Sequence, residues 1–328
     1  MKAEGDRVLD EPGPHDYLRA VTVARSLLLR ASRSPWLADQ FRRRAITRRA
    51  VRRFMPGEDL TSALEAASQF APQGIGTVLT NLGEGVSSPE EADAARDHYL
   101  AALEEIRRRG LTAHISVKPT HLGLDVNREA CAQRVLTLAA RAGEASSFLW
   151  IDMEDSSRVD ATLEILRRAR GAHRNVGVCL QAYLRRTAAD LDSLLPLEPA
   201  IRLVKGAYRE PPDVAFPEKR ATDAAFMSLA DRLLDRARHG GALPVFGTHD
   251  MRLIDEIRRR AQMLGVDRRA YEFHMLYGIK ANDQRALAAD GAMVRVLISY
   301  GENWFPWYMR RLAERPANVW FVMRNLVP

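Results

Sequence analysis

From residue 74 onward the chain alternates short apolar runs with longer stretches in which apolar residues recur every three or four positions. The short runs lie at 74–80, 113–119, 147–153, 175–182, 200–206, 243–249, 271–278 and 292–299. Their length and their Val, Ile and aromatic content predict strands. The stretches between them, such as EEADAARDHYLAALEEIRRR, DATLEILRRAR and MRLIDEIRRRAQML, predict amphipathic helices that stop at Gly or at charged turns. Strands that alternate strictly with helices build a parallel sheet, and eight of them close into a barrel. The competing arrangement, a doubly wound open sheet, lacks its G-x-G-x-x-G after the first strand. The pattern therefore predicts an α/β fold, a (β/α)8 TIM barrel, with a last helix near 305–314. Residues 1–60 fall outside the repeat. They hold two helix-like segments, 17–30 and 35–54, and a break at Pro56-Gly57. The expected organisation is an N-terminal helical arm over 1–60 and the barrel over 61–328.

Active sites of such barrels lie at the C-terminal ends of the strands. The first run leads into Asn81 and Glu84, and the second ends at Lys118. The third reaches Asp152, Met153, Glu154 and Asp155, and the fourth Gln181. The fifth carries Arg202 and Lys205, the sixth Thr248, His249 and Asp250, the seventh Glu272 and His274. The eighth helix contains the adjacent pair Arg310 and Arg311. An ionisable group inside an apolar strand costs several kcal/mol unless it finds a partner. Taken singly, an Asp at a strand end is usually a helix cap and a His usually a satisfied core residue. Together these groups describe a cationic mouth able to hold anions, such as a phosphate-bearing cofactor and a carboxylate substrate. Arg310 and Arg311 suit forked contacts to a small carboxylate, or else form a surface pair.

Composition narrows the partners. The formal charge of +7 comes almost entirely from Arg, since Lys occurs only at 2, 118, 205, 219 and 280. The run FRRRAITRRAVRRF (41–54) has seven Arg and no acid. It reads as a solvated helical face, with anionic lipid headgroups as the functional alternative. No recognition motif accompanies the charge, so nucleic acid is not expected. Two cysteines, Cys131 and Cys179, make neither a disulfide framework nor a metal-ligand cluster, so no metal is expected. No apolar run approaches the ~20 residues of a membrane span. The acidic start MKAEGDRVLDEPGPHD is unlike a signal peptide. A cytoplasmic protein is expected, with peripheral contact at the inner face of the membrane if the Arg run binds lipid.

In order along the chain, LGEGV, HISVKPTHLGL, WIDMED, VCLQAYLRR, IRLVKGAYRE, GTHD, EFHMLYGI and YMRRLAERPANV resemble the motifs of the proline dehydrogenase family of flavin-dependent barrels. The likeness covers nearly the whole chain. It implies an FAD enzyme that oxidises L-proline to Δ1-pyrroline-5-carboxylate, with hydride passing from ring C5 to flavin N5 and electrons then to a membrane quinone. It also implies a functional link to a pyrroline-5-carboxylate dehydrogenase. By the same likeness Arg310, Arg311 and Lys118 would hold the substrate carboxylate, and Asp152 would lie near the amine and influence proton handling. Arg202 would stabilise negative charge near flavin N5, and Gln181 would bond the ring. Met153, Lys205, Gly206 and Ala207 would line the cofactor, with Gly206 and Ala207 leaving room for a flat ring. Thr248 and His249 would face its phosphates or ribityl chain, and Glu84 would pair with Arg311 as a gate.

Three positions depart from the family pattern. Leu297 stands where a Tyr is usual, four residues before Gly301. Trp307 stands where a Tyr precedes the paired arginines, and His274 replaces a Gln in the strand-seven motif. In the family the positions of Leu297 and Trp307 pack around the substrate ring. They keep open a modified cyclic imino acid as substrate, such as hydroxyproline or an N- or ring-substituted proline. A non-catalytic barrel that only binds ligand is the reading from another class.

Overall fold

The computed structural model describes residues 51–305 and Met309. Eight parallel strands close in sequence order: β1 (Gly76–Asn81), β2 (Ala113–Val117), β3 (Leu149–Ile151), β4 (Val176–Gln181), β5 (Ala200–Val204), β6 (Leu243–Gly247), β7 (Glu272–Leu276) and β8 (Met293–Tyr300). Helix α1 (Leu60–Ser68) precedes β1. The helices that follow successive strands are α2 (Pro89–Arg109), α3 (Arg128–Glu144), α4 (Val159–Ala172), α5 (Thr187–Leu194), α6 (Lys219–Arg238), α7 (Met251–Met263) and α8 (Ala281–Ala289). These elements belong to one compact unit, Arg52–Glu302; Val51, Asn303, Trp304, Phe305 and Met309 group outside it. The barrel read from the periodicity is the barrel observed.

Local chemistry sets the helix boundaries. Ser88 caps α2 by accepting the Glu91 N–H at 3.2 Å, Pro89 opens the helix, and Gly110 ends it at φ +62°. Asn127 caps α3 through the Ala130 N–H, and Asp250 caps α7 through the Arg252 N–H.

The strands have two different faces, because successive side chains point to opposite sides. In β5, Ile201 and Leu203 join the large apolar core, in company with residues of the surrounding helices. Ala200 joins a small inner cluster with Val78, Trp150 and Val245. The register pairs Arg202 with Cys179 on β4 and Val245 on β6, so Arg202 shares that inner face. The inner face is rich in polar groups: Ser116, Gln181, Arg202, Glu272 and His274 are all buried. Room for the larger inner groups comes from glycine. A Cβ on Gly177 would stand 2.7 Å from the Trp150 ring, and one on Gly76 would stand 2.5 Å from Arg295 Nη1.

Candidate active site

Arg202, Asp152, Ser116 and Lys118 meet where β5, β3 and β2 converge. Asp152 leaves β3 with its N–H donated to the Val117 carbonyl at 2.8 Å, which sets it beside the end of β2. Its Oδ1 accepts the Ser116 hydroxyl at 2.8 Å and contacts Arg202 Nη2. Ser116 Oγ in turn accepts from Arg202 Nη2 at 2.9 Å. Lys118 Nζ lies 3.7 Å from Asp152 Oδ2. Two cations thus share one carboxylate, and the cluster keeps a net positive charge. The Arg202 guanidinium also lies 5.2 Å over the Trp150 ring, and Trp150 Nε1 donates to His114 Nδ1 at 3.2 Å. Arg202 is only 3% exposed, and its Nη1 is buried with no hydrogen-bond partner among the described residues.

A second polar group lies within the barrel. Glu272 Oε2 accepts from Arg295 Nε at 2.9 Å and from His274 Nε2 at 3.1 Å. Burial pushes the Glu272 carboxyl up, but the His274 bond and the Arg295 charge outweigh it and hold the group well below the usual carboxylate range. Burial lowers His274 to about 4 against the pull of Glu272, so the imidazole is neutral at pH 7. Its edge faces Trp150, with ring centroids 5.3 Å apart, and so connects this group to the platform under Arg202.

These shifts contribute to the loss of stability on the acid side. Above the ordinary His value of 6.5, His274 is neutral both folded and unfolded. Between 6.5 and about 4 the unfolded chain takes up a proton that the folded chain excludes, so stability falls as pH falls. Glu272 acts in the same direction below the ordinary carboxylate range, because its folded-state value is depressed. We expect the urea midpoint to drop between pH 7 and pH 5, with roughly 2 kcal/mol of the loss due to His274. A midpoint independent of pH over that window would contradict the assignment.

The other residues singled out from the sequence divide into three groups. Several stand at the strand ends as expected. Gln181 is buried, and its Nε2 donates to the Glu154 carbonyl at 2.7 Å. Met153 and Thr248 are buried, Ala207 is exposed, and Thr248 Oγ1 accepts the Asp250 N–H at 3.1 Å. His249 Nε2 accepts the Leu276 N–H at 2.8 Å, which leaves Nδ1 to carry the ring proton. Leu297 is paired in register with Leu276 and Val78 and packs on the inner cluster that contains Trp150. Glu84 is exposed on the loop after β1.

Others differ in setting. Lys205 Nζ lies 2.5 Å from Asp223 and 3.6 Å from Asp250, so its charge is met by two carboxylates from the starts of α6 and α7. The space that Gly206 leaves is filled by the Tyr183 ring, 2.1 Å from a hypothetical Cβ, and its φ of +114° excludes other residues. That glycine makes room for a phenol from the turn after β4. Glu272 and His274, expected within or at the tip of the seventh strand, occupy the first and third positions of β7, inside the barrel. Trp307, Arg310 and Arg311 lie outside the described residues, as does most of the arm over 1–60.

Ser116, His114, Trp150 and Arg295 were not anticipated. Parity along a strand places them only once the register has shown which face turns inward. Each lies an even number of positions from a polar inner-face residue on its own strand or is paired with one in register, as Ser116 is with Trp150 and Arg295 with His274.

The comparisons with known proteins agree with one another. The family model described as "Proline dehydrogenase" matches residues 63–324. Proline dehydrogenase 2 of Bacillus subtilis subsp. natto is 34% identical over 306 residues, which is 93% of this chain and 99% of the relative. The proline dehydrogenase of Deinococcus radiodurans is 37% identical over 283 residues, 84% of this chain and 89% of the relative. Among solved structures, proline utilization A from Bdellovibrio bacteriovorus, inactivated by N-propargylglycine, superposes with a TM-score of 0.76 at 23% identity. A variant of the Bradyrhizobium japonicum counterpart gives 0.70 at 23%. These matches cover 82% and 83% of this chain but only 33% and 32% of those longer chains, and they show the same fold.

Proposed function

The chain belongs to the proline dehydrogenase family, and from that premise we propose that it oxidises L-proline to Δ1-pyrroline-5-carboxylate with FAD as its cofactor and a quinone as electron acceptor. The family implies a flavin, and the site suits one. The observation that carries the reading is the buried Arg202 Nη1, which has no hydrogen-bond partner among the described residues, beside Asp152 and Lys118. A buried donor of this kind calls for an acceptor, such as the polar edge of a planar ring.

When bound, the flavin supplies a two-electron acceptor for the hydride from substrate C5. The chain's own groups do the rest. Lys118 presents a cation to the substrate carboxylate, with Arg310 and Arg311 assigned to the same task. Asp152 stands beside Lys118, where a carboxylate favours the orientation of the ring amine and can take up its proton as the C=N bond forms. Arg202, held over Trp150, offers Nη1 as a fixed donor wherever negative charge develops on the acceptor ring. Gln181 has committed its Nε2 to Glu154, so its Oε1 is the end left to accept a ring N–H. Preorganisation is the common feature of the described groups: Lys118, Asp152, Arg202 and Gln181 are each met by a neighbour before substrate arrives.

Leu297 favours a second reading on the substrate side. As an apolar residue on the inner cluster it offers no hydroxyl, so a substituted proline is assigned as the alternative substrate. Residues 1–60 are assigned to a helical arm, its Arg run to contact with anionic lipid, and the product to a pyrroline-5-carboxylate dehydrogenase. No helix among the described residues is long and apolar enough to cross a membrane.

The test is an anaerobic visible spectrum of the purified protein, followed by addition of L-proline. A flavin band that bleaches, with FAD released on denaturation, is the expected result. A protein that stays colourless after incubation with FAD would overturn the cofactor assignment. A yellow protein that bleaches with hydroxyproline and ignores proline would move the substrate to the alternative.

A further inference from the structure

We propose that Glu154 is a positioning residue that locks the Lys118 turn and the Glu84 loop together, and so governs substrate affinity without touching substrate. The proposal rests on the reading that Lys118 and Glu84 face the substrate.

Glu154 follows β3 and is 4% exposed. Its Oε2 accepts the Thr120 N–H at 2.9 Å and its Oε1 accepts the Thr120 hydroxyl at 2.6 Å. Thr120 sits one residue into the tight turn Pro119–Leu122, which Lys118 opens by accepting the His121 and Leu122 N–H groups at 3.1 and 3.2 Å. Thr120 then holds the other loop. Its Oγ1 accepts the Gly85 N–H at 3.1 Å, and its carbonyl accepts the Val86 N–H at 3.3 Å. Gly83 rests on the neighbouring His121 ring, which lies 2.2 Å from where a Cβ would stand. Glu84 therefore sits in a loop supported on both sides by residues 120 and 121. The Glu154 backbone meanwhile fixes the Gln181 amide, so one residue joins the exits of β1, β2, β3 and β4.

An ionised carboxylate explains why this position is an acid. It only accepts, and it has two oxygens for the two Thr120 donors. With its proton given to Glu154, the Thr120 hydroxyl must turn its lone pairs toward Gly85, so the direction of the whole chain of bonds is set from Glu154 outward. Glutamine has the same volume but carries an NH2 that cannot accept from Thr120. Glu154→Gln would reverse or break one link while leaving the packing intact. Burial is the main influence on the Glu154 carboxyl and raises it, opposed by the Thr120 bonds and the nearby Lys118 charge and assisted by the charge on Glu84.

The experiment uses the flavin-loaded full chain. Glu154→Gln is expected to raise KM for L-proline about tenfold, the effect of losing one hydrogen bond to a charged group, with kcat within about twofold. Thr120→Val should do the same, and Thr120→Ser, which keeps both donors, should restore most of the affinity. Added to Glu84→Ala, Glu154→Gln should cost less than it does alone, because both act through one loop. An unchanged KM overturns the proposal. So does an undiminished effect in the double variant, or a parallel loss of kcat, KM and flavin content, which marks a mere structural prop. The underlying reading fails separately, if Lys118→Ala and Glu84→Ala both leave KM unaltered.

Discussion

Arg202→Met is expected to lower turnover at saturating L-proline by about 10²–10³-fold, the loss usual when one preorganised donor to developing charge is removed. The substitution keeps the apolar stem of the side chain but removes the guanidinium that lies over Trp150. What disappears is the charge at Asp152, the donor to Ser116 and the free Nη1. Asp152 would retain Ser116 and Lys118, so proline affinity should change less than turnover. Arg202→Lys should not rescue. One ammonium cannot lie flat on an indole, meet a carboxylate and still present a second fixed donor. Steady-state rates together with the flavin midpoint potential decide the matter. Turnover within tenfold of the parent at an unchanged potential would remove Arg202 from the chemistry.

The second large effect concerns stability. Glu272→Leu should destabilise the fold by about 3 kcal/mol, because it leaves the partly buried Arg295 guanidinium without a counter-charge and His274 Nε2 without an acceptor. The double variant Glu272→Leu/Arg295→Met should recover a large part of that loss, since replacing a buried pair by apolar groups is far cheaper than breaking it. Urea unfolding at pH 7, followed by tryptophan fluorescence, gives both numbers. Equal losses in the single and double variants would mean that the uncompensated Arg295 charge is not the source of the loss.

The two predictions draw on parts of the molecule that were unequally legible in the sequence. The eight strands were readable because their outward residues, such as Ile201 and Leu203, are apolar wherever helices cover them. Arg202 was readable as an anomaly, a cation in the middle of such a run. Ser116, His114 and Trp150 were not, because a single strand does not reveal which of its two alternating faces turns inward. Only the register, which sets Ser116 beside Trp150 and Cys179 beside Arg202, resolves this. Glu272 and His274 lie early in the run at 271–278, and the run alone does not show that both turn inward. Lys205 was identified as a strand-end cation, yet its carboxylate partners Asp223 and Asp250 come from two later segments. Spacing in the chain carries no information on such meetings.

The ladder between β1 and β8 pairs six residues, from Gly76 with Arg295 to Asn81 with Tyr300, and joins the first strand of the barrel to the last. During synthesis, β1 therefore waits for more than two hundred residues with one row of backbone donors and acceptors unmatched. Every earlier strand can find a neighbour as it emerges, but the ring has no closed form until β8 arrives. The same strand brings Arg295 to Glu272, so the buried charge on β7 is neutralised at the moment of closure. A nascent chain that stalls before residue 293 would be an open sheet with two sticky margins and an uncompensated acid inside. Such a species is a substrate for chaperones and a seed for aggregation. The seam that completes the active barrel is thus also the point at which the newborn chain stops being dangerous to itself.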